Sequence, residues 1–351
     1  MTWQPRTTLK EIAKKTNLSV AAVSMALRDN PSLPHATIAR VKRAARMLNY
    51  TPNPAASALA AHRQRLRVHR DFSVIALVSN WSRRDEWVRR ESAKQLLAGA
   101  TARAQAYGYE LQHLWAREEG MSPARFDRVL QARGIHGVIV APLENPEDRF
   151  DLAWNEFSIV TIERFARYAQ FHHIVPNYYA DLRLAWSKLS ERGYRRIGLV
   201  IENGLAERVA HQWEAAHAFA QSTATPEADR VPTLVVGSRD TRVQVRRWIE
   251  SHRPDGIICR SQDVLATLDY MKLRLPEDIA YVSLNVVDDL PHASGIQQHR
   301  DVMGATAVDV LHSLLHRNHR GPNPVSQGTH VDGSWHEGQT IAKQCPASHG
   351  R

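Results

Sequence analysis

The sequence predicts an N-terminal all-α domain, a helix-turn-helix with a hinge helix, followed by a two-lobe α/β domain of parallel, doubly wound sheets. Three observations predict it. Apolar residues recur at helical spacing in short, turn-separated segments over residues 8–50. From Phe72 onward, short apolar strands alternate with amphipathic helices, and the series restarts near residue 171. The net positive charge is confined to the segment before this alternation begins.

Thr8 with Glu11 three residues later is a capping box, so a helix starts there with Ile12 and Ala13 on its buried side. Thr16-Asn17-Leu18 breaks it, and Asn17 tolerates the left-handed backbone of a tight turn. Ser19 caps a second helix, Val20 to Leu27. Val23, Ala26 and Leu27 face inward, which leaves Val20, Ala21, Ser24 and Met25 outside. Arg28 to Pro34 is a loop with two prolines, and Ile38, Val41, Ala45 and Leu48 mark a third helix. Asn53-Pro54 then starts a short helix, an N-cap followed by proline in the first turn.

Charge separates the two parts. Up to Arg70, 13 Lys and Arg stand against two acids, Glu11 and Asp29, for a net +11. The whole chain is +10, so the other 281 residues hold 33 basic and 34 acidic groups. A solvated basic tail does not explain the ordered apolar positions among these charges. A surface that follows a phosphate backbone does.

The α/β part follows in order. Ser73–Val78 is a strand and Glu91–Tyr107 a helix with Leu96, Leu97 and Ala100 inward. Glu110–Leu114 is a strand, Pro123–Ala132 a helix and Gly137–Val140 a strand. A helix near Pro146–Trp154 leads to the strand Ser158–Ile162. The second series comprises strands His173–Val175, Arg196–Ile201, Thr233–Val236, Gly256–Cys259 and Ile279–Leu284. Its helices are Ala180–Glu191, Leu205–Gln221, Thr241–Ser251 and Asp263–Leu273, and Asp301–His319 is a late helix. Such alternation implies parallel sheets covered on both faces, with a ligand cleft at the strand ends.

Other classes find little support. The two cysteines, Cys259 and Cys345, do not make a disulfide framework, which fits a reducing, cytoplasmic setting. No apolar signal region or membrane-length stretch is present, so neither a membrane protein nor an exported solute-binding component is expected. No phosphate loop or nucleophile elbow appears, so an enzyme, a catalytic residue or a cofactor is not expected. His312, His316 and His319 share a helix face, but Arg317 and Arg320 beside them favour a solvated basic face over a metal site.

Residues 8–60 resemble the LacI-type family of transcription regulators. The resemblance rests on Thr8-Leu9-Lys10-Glu11-Ile12-Ala13, Leu18-Ser19-Val20, Val23-Ser24, Leu48-Asn49-Tyr50, Pro52-Asn53-Pro54 and Leu59-Ala60. It extends more loosely to about residue 340, through Gly193-Tyr194-Arg195-Arg196-Ile197-Gly198, Arg253-Pro254-Asp255-Gly256 and Leu275-Pro276-Glu277-Asp278-Ile279. It implies a helix-turn-helix DNA-binding domain over 1–50 and a hinge helix and linker over 51–71. Residues 72–340 would form a periplasmic-binding-protein-like sensor, and 341–351 a polar tail. Lobe 1 would hold about 72–170 plus 291–322, and lobe 2 about 171–290 plus 323–340.

The resemblance implies a homodimeric, cytoplasmic repressor that binds a near-palindromic operator in double-stranded DNA. A small-molecule effector, with carbohydrate among the candidate classes, would control it. The base-reading positions map to Val20, Ala21 and Met25, with Arg28 as a supplementary contact. None of the first three makes bidentate base contacts; they offer apolar surface, for instance to thymine methyls. Thr8, Ser19, Ser24, Thr37, Tyr50 and Asn53 match phosphate-positioning residues, and Leu59 matches a minor-groove leucine wedge. The implied ligand positions are Trp81, Glu163, Gln212, Trp213, Gln262, Asp263 and Asn285. Gapless counting from Gly193 puts Gln212 where the family carries arginine, and Asn285 replaces an acid. The pocket would thereby lose a pair of charge-assisted bonds and bind another ligand, or none.

The charge separation makes DNA affinity strongly salt-dependent. For ~6–10 phosphate contacts, affinity should fall by roughly 10³–10⁵ between about 50 and 200 mM salt. Equilibrium titration of a DNA duplex over that range checks this, and a flat dependence would remove the DNA reader.

Overall fold

The computed structural model describes residues 7–27, 33–48, 50, 73–145, 148, 151–164, 170–237, 240–288 and 292–342. Arg28, Asn53, the hinge helix with Leu59, the linker and Cys345 lie outside these residues, as does the side chain of Ala21.

Three helices form the N-terminal domain: α1 (Leu9–Thr16), α2 (Val20–Ala26) and α3 (His35–Met47). The Glu11 carboxylate accepts the Thr8 N–H at 2.7 Å and closes the start of α1. Asn17 ends it at φ 53°, in the left-handed region its short polar side chain tolerates. The Ser19 hydroxyl then accepts the Ala22 N–H at 3.1 Å, so α2 starts after a three-residue break, Asn17 to Ser19. Ile12, Val23, Ala26 and Val41 are fully buried and join the three helices, with Tyr50 packed against them.

The first sheet has the order β11-β5-β4-β3-β1-β2, all parallel. Its strands are β1 (Ser73–Ser79), β2 (Tyr109–Trp115), β3 (Gly137–Val140), β4 (Ser158–Ile162), β5 (His172–Pro176) and β11 (Gly328–Val331). On one face lie α4 (Arg84–Arg89), α5 (Glu91–Tyr107) and α12 (Arg300–His316), and on the other α6 (Pro123–Ala132). The second sheet has the order β12-β10-β9-β8-β6-β7. It contains β6 (Ile197–Glu202), β7 (Leu234–Val236), β8 (Gly256–Cys259), β9 (Ala280–Ser283), β10 (Gly295–Gln297) and β12 (Ser334–His336). Only the β10–β12 pair is antiparallel among those in the two sheets. One face carries α7 (Tyr178–Ser190), α8 (Asn203–Arg208) and α9 (Gln212–Ala224); the other carries α10 (Thr241–His252) and α11 (Gln262–Tyr270).

The sheets correct the division into lobes. β5 was expected to open lobe 2, yet it pairs with β4 and belongs to the first sheet. β10 lies in the second sheet, although residues 291–322 were expected in lobe 1; β11 lies in the first, although 323–340 were expected in lobe 2. The chain therefore crosses between lobes three times, after β5, after β10 and after β11. A parallel strand buried on both faces reads the same in either sheet, so its apolar pattern cannot say which lobe it joins. Of the helix expected near Pro146–Trp154, the described residues show a single 3-10 turn, Trp154–Glu156.

The late helix packs where it was expected. α12 lies along α5, and two glycines set their separation. A methyl group on Gly304 would fall inside the Leu96 carbonyl, and one on Gly99 inside the Asp301 carbonyl. Met303, Ala307 and Leu311 fill the seam beside them at zero exposure. Gly304→Ala should therefore destabilise the fold by about 1–3 kcal/mol through overpacking, even though alanine favours an isolated helix by ~1 kcal/mol. Gly204 in α8 faces open space, so Gly204→Ala should be neutral or stabilising. Urea denaturation of both variants checks the contrast; equal effects would mean that the seam does not set the helix spacing.

Candidate functional site

The outer face of α2 is the first candidate surface. Val20 is 40% exposed, whereas Ser24 and Met25 are half-buried beside it. Thr8 and Ser19 are exposed at the starts of α1 and α2, and Thr37 is half-buried in the first turn of α3. Lys10, Lys14, Lys15, Arg40, Arg43 and Arg46 are exposed on the same three-helix unit. Tyr50 is half-buried against the small core, which gives its ring a packing role whatever its hydroxyl touches.

The second candidate is a cavity of about 920 Å³ between the two lobes. That is ample for a small metabolite. Trp81, Glu163, Gln262 and Asp263, all expected at the ligand site, line it. Trp81 follows β1 and is fixed at both ends: its Nε1–H donates to the Pro142 carbonyl at 2.8 Å, and its own carbonyl accepts from Trp115 Nε1 at 2.8 Å. The Arg90 guanidinium covers its ring at 4.7 Å. The Glu144 carboxylate accepts from the Ser82 N–H and hydroxyl at 2.8 and 2.9 Å, which holds its pKa below the usual carboxylate range.

Gln212, Trp213 and Asn285 do not line this cavity. Trp213 is 1% exposed in the lobe-2 core, edge-on to Tyr178 with ring centroids 5.4 Å apart. Asn285 is fully buried behind the wall, where its Nδ2 donates to Asp288 Oδ2 at 3.3 Å. The helix expected over Leu205–Gln221 is two helices. Ala210 and His211 adopt φ 51° and 57°, and these two left-handed residues end α8 before α9 begins at Gln212. Arg208, in the last turn of α8, lies on the cavity wall, where gapless counting from Gly193 had placed Gln212.

Arg208 is the residue that counting missed. Its Nη1 donates to the Leu143 carbonyl at 2.9 Å and to Glu163 Oε2 at 3.1 Å, and its Nη2 donates to the Glu144 carbonyl at 2.6 Å. All three acceptors lie at strand ends of the first sheet, whereas Arg208 comes from the second lobe. Glu163 is 6% exposed and stands at φ 69°, a conformation that costs a non-glycine residue energy and recurs at functional sites. Its other oxygen lies 3.5 Å from Arg300 Nη1. Burial raises the Glu163 pKa, but Arg208 and Arg300 overcome that and hold it below the ordinary range.

A polar chain continues from there through the crossovers. Arg300 Nη2 donates to Gln298 Oε1 at 2.7 Å, and Gln298 Nε2 donates to Asp181 Oδ2 at 3.3 Å. Asp181 Oδ1 accepts the Gly333 N–H at 2.9 Å. On the other side of the cleft, Asp288 accepts the Ser92 N–H at 3.0 Å and so caps α5 from the opposite lobe. His312, by contrast, is engaged in packing: it stacks on Tyr107 at 4.0 Å, and its Nδ1 lies 3.0 Å from the Tyr109 hydroxyl.

A three-helix unit with a capped recognition helix, joined to two doubly wound lobes around a polar cavity, defines a DNA-binding regulator with a sensor domain. Residues 8–53 match the bacterial regulatory proteins of the lacI family, and residues 187–340 match the periplasmic binding protein-like domain. The HTH-type transcriptional repressor PurR of Escherichia coli O1:K1 / APEC is 23% identical over 332 residues, covering 91% of this chain and 93% of the relative. The transcriptional regulator CelR–cellobiose complex shares the fold at TM-score 0.57 and 18% identity, covering 95% of this chain and 100% of that one. The lac repressor dimer bound to operator and the anti-inducer ONPF does so at TM-score 0.54 and 17% identity, covering 96% and 100%. The chain thus carries a lacI-family DNA-binding domain together with a periplasmic binding protein-like domain, the make-up of a DNA-binding transcription regulator.

Two buried groups give the sensor opposing pH responses. Burial pushes the Asp181 carboxyl from 3.8 up to about 6, so the folded chain keeps a proton that the unfolded chain releases. That contribution is complete at low pH and is lost as pH rises through the folded value. Burial pushes His217 from 6.5 down to about 4, so stability from this group is lost as pH falls through the same window. Removing Asp181 exposes the second slope. The stability of Asp181→Asn relative to the parent should rise between pH about 4 and about 6, by at most about 1.4 kcal/mol per unit. Urea denaturation across that window measures it, and parallel curves for parent and variant would mean that Asp181 titrates in the folded chain as it does in the unfolded one.

Proposed function

We propose that the protein is a homodimeric, sequence-specific transcriptional repressor, controlled by a small molecule bound between the sensor lobes. The observation that carries this reading is the pairing of a capped α2, exposed at Val20, with a cavity crossed by Arg208. In a dimer, each α2 enters a major groove, so the operator is a near-palindrome. Val20, Ala21 and Met25 contribute apolar contact, Arg28 a supplementary base contact, and Thr8, Ser19, Ser24, Thr37, Tyr50 and Asn53 position phosphates. Leu59 wedges a central minor-groove step. A regulator of this kind works in the cytoplasm, where the DNA is.

Trp81, Glu163, Gln262 and Asp263 are the proposed wall residues for the effector. Gln212, Trp213 and Asn285, also expected at the ligand site, do not line this cavity and are not part of the proposed wall. CelR is seen with cellobiose, and a carbohydrate is one effector class considered for this cleft. A second reading, a sensor that works without any ligand, is favoured by one observation: Arg208 already bridges the lobes.

Selection of bound sequences from random DNA tests the DNA assignment and yields the operator. A screen of metabolites for release or enhancement on that operator then tests the effector assignment. Leu59→Ala should weaken operator binding while leaving binding to random DNA nearly unchanged, because non-specific affinity depends on phosphates. A competition titration with operator, centre-shuffled operator and random duplex separates the outcomes. Equal losses on all three would mean that Leu59 supports folding or dimerisation instead.

A further inference from the structure

The acceptors around the Arg208 guanidinium form a site in their own right. The Leu143 and Glu144 carbonyls and the Glu163 carboxylate converge from the ends of β3 and β4, and the contacts they make to Arg208 all use them as acceptors. Such a set selects a donor-only group, and a planar guanidinium meets several acceptors at once. A neutral hydroxyl would bring a lone pair toward at least one of these oxygens. The seat is also prebuilt: Glu163 is buried at φ 69°, with its N–H donating to the Ile174 carbonyl at 2.8 Å. The cavity reaches both Glu163 and Arg208, so a solute entering it meets the seat directly. Should Arg208 leave, Arg300 remains 3.5 Å from the other Glu163 oxygen, and the carboxylate keeps a counter-charge.

We propose that the lobe-1 half of the cleft is a guanidinium-binding seat, which Arg208 fills from lobe 2 as a tethered occupant. Effectors of this protein then carry a guanidinium group and act by competing with Arg208. This inference rests on the cleft being the effector site. It adds the ligand class and the reason for closure without ligand.

The test uses the full-length protein without DNA and ethylguanidinium as the probe. Arg208→Ala should enlarge the radius of gyration in small-angle scattering, because the lobes lose the bridge. Millimolar ethylguanidinium should then raise the melting temperature of Arg208→Ala and not that of the parent, in which the tether holds the seat. Adding Glu163→Gln to Arg208→Ala should shift the ethylguanidinium midpoint upward about tenfold or more, since the charge-assisted bond is gone. Ethylammonium should stabilise Arg208→Ala less. Arg208→Lys, which keeps the charge but not the fork, provides the same comparison if the alanine variant does not fold, and it should scatter as a more open particle than the parent.

Unchanged scattering together with no stabilisation by ethylguanidinium would overturn the seat. So would equal stabilisation by ethylammonium, or a lysine variant indistinguishable from the parent. Operator binding by the parent is measured separately. Its loss would sink the regulator assignment, and its retention beside a failed probe response would sink the seat alone.

Discussion

The buried Glu163 carboxylate, held between Arg208 and Arg300, is the constraint on which the sensor depends. A carboxylate with so little exposure is costly unless it is paired, and removing one partner of such a pair typically costs about 3–5 kcal/mol. Here the partners come from different places. Arg208 reaches across from α8 of lobe 2, and Arg300 starts α12 immediately after the crossover from β10. One ionised group therefore ties lobe closure to the crossover segments. Through Gln298 and Asp181 the same chain reaches Gly333 in the third crossover. The same network thus spans the second and third crossover segments.

The DNA-binding unit has a different economy. Its core is a few side chains, Ile12, Val23, Ala26 and Val41 among them, and a core of that size gives only marginal stability. Caps and turns therefore matter: Glu11 on Thr8, Ser19 on Ala22, and Asn17 in the left-handed turn each fix a helix end. The positions proposed for base reading, Val20 and Met25 among them, are apolar, and exposed Lys and Arg lie on the same unit. On that proposal affinity would come mainly from phosphates, and discrimination would draw on groove shape.

Much of this was legible in the sequence, and the failures share a cause. The N-terminal helices were readable because their signals are local: a capping box at Thr8, a turn residue at Asn17 and a cap at Ser19. Glu91–Tyr107, Pro123–Ala132 and Gly137–Val140 fall where periodicity placed them. Lobe membership of β5, β10 and β11 was not readable, because pairing partners are set by tertiary contacts and an apolar strand does not name its neighbour. Four of the seven expected ligand positions lie on the cleft wall. Trp81, Glu163, Gln262 and Asp263 reach the cavity, whereas gapless counting from Gly193 gave Gln212 the place that Arg208 takes, within a stretch that periodicity read as one helix. Ala210 and His211 break it, and neither residue type announces a positive φ.

That break also bears on how a ligand acts. An effector shifts the lobes only by the difference in its affinity for open and closed forms. In most clefts the closed form is incomplete without the ligand. Here the three lobe-1 acceptors are already satisfied by Arg208, so closure has an internal source of binding energy. A ligand that leaves Arg208 in place adds only its own contacts, whereas one that displaces Arg208 removes the bridge and must replace it to keep the cleft shut. The sign of the response then follows from reach. On the proposal of a guanidinium seat, a ligand long enough to touch both lobes would preserve closure, and one confined to the lobe-1 acceptors would remove the Arg208 bridge and favour the open form.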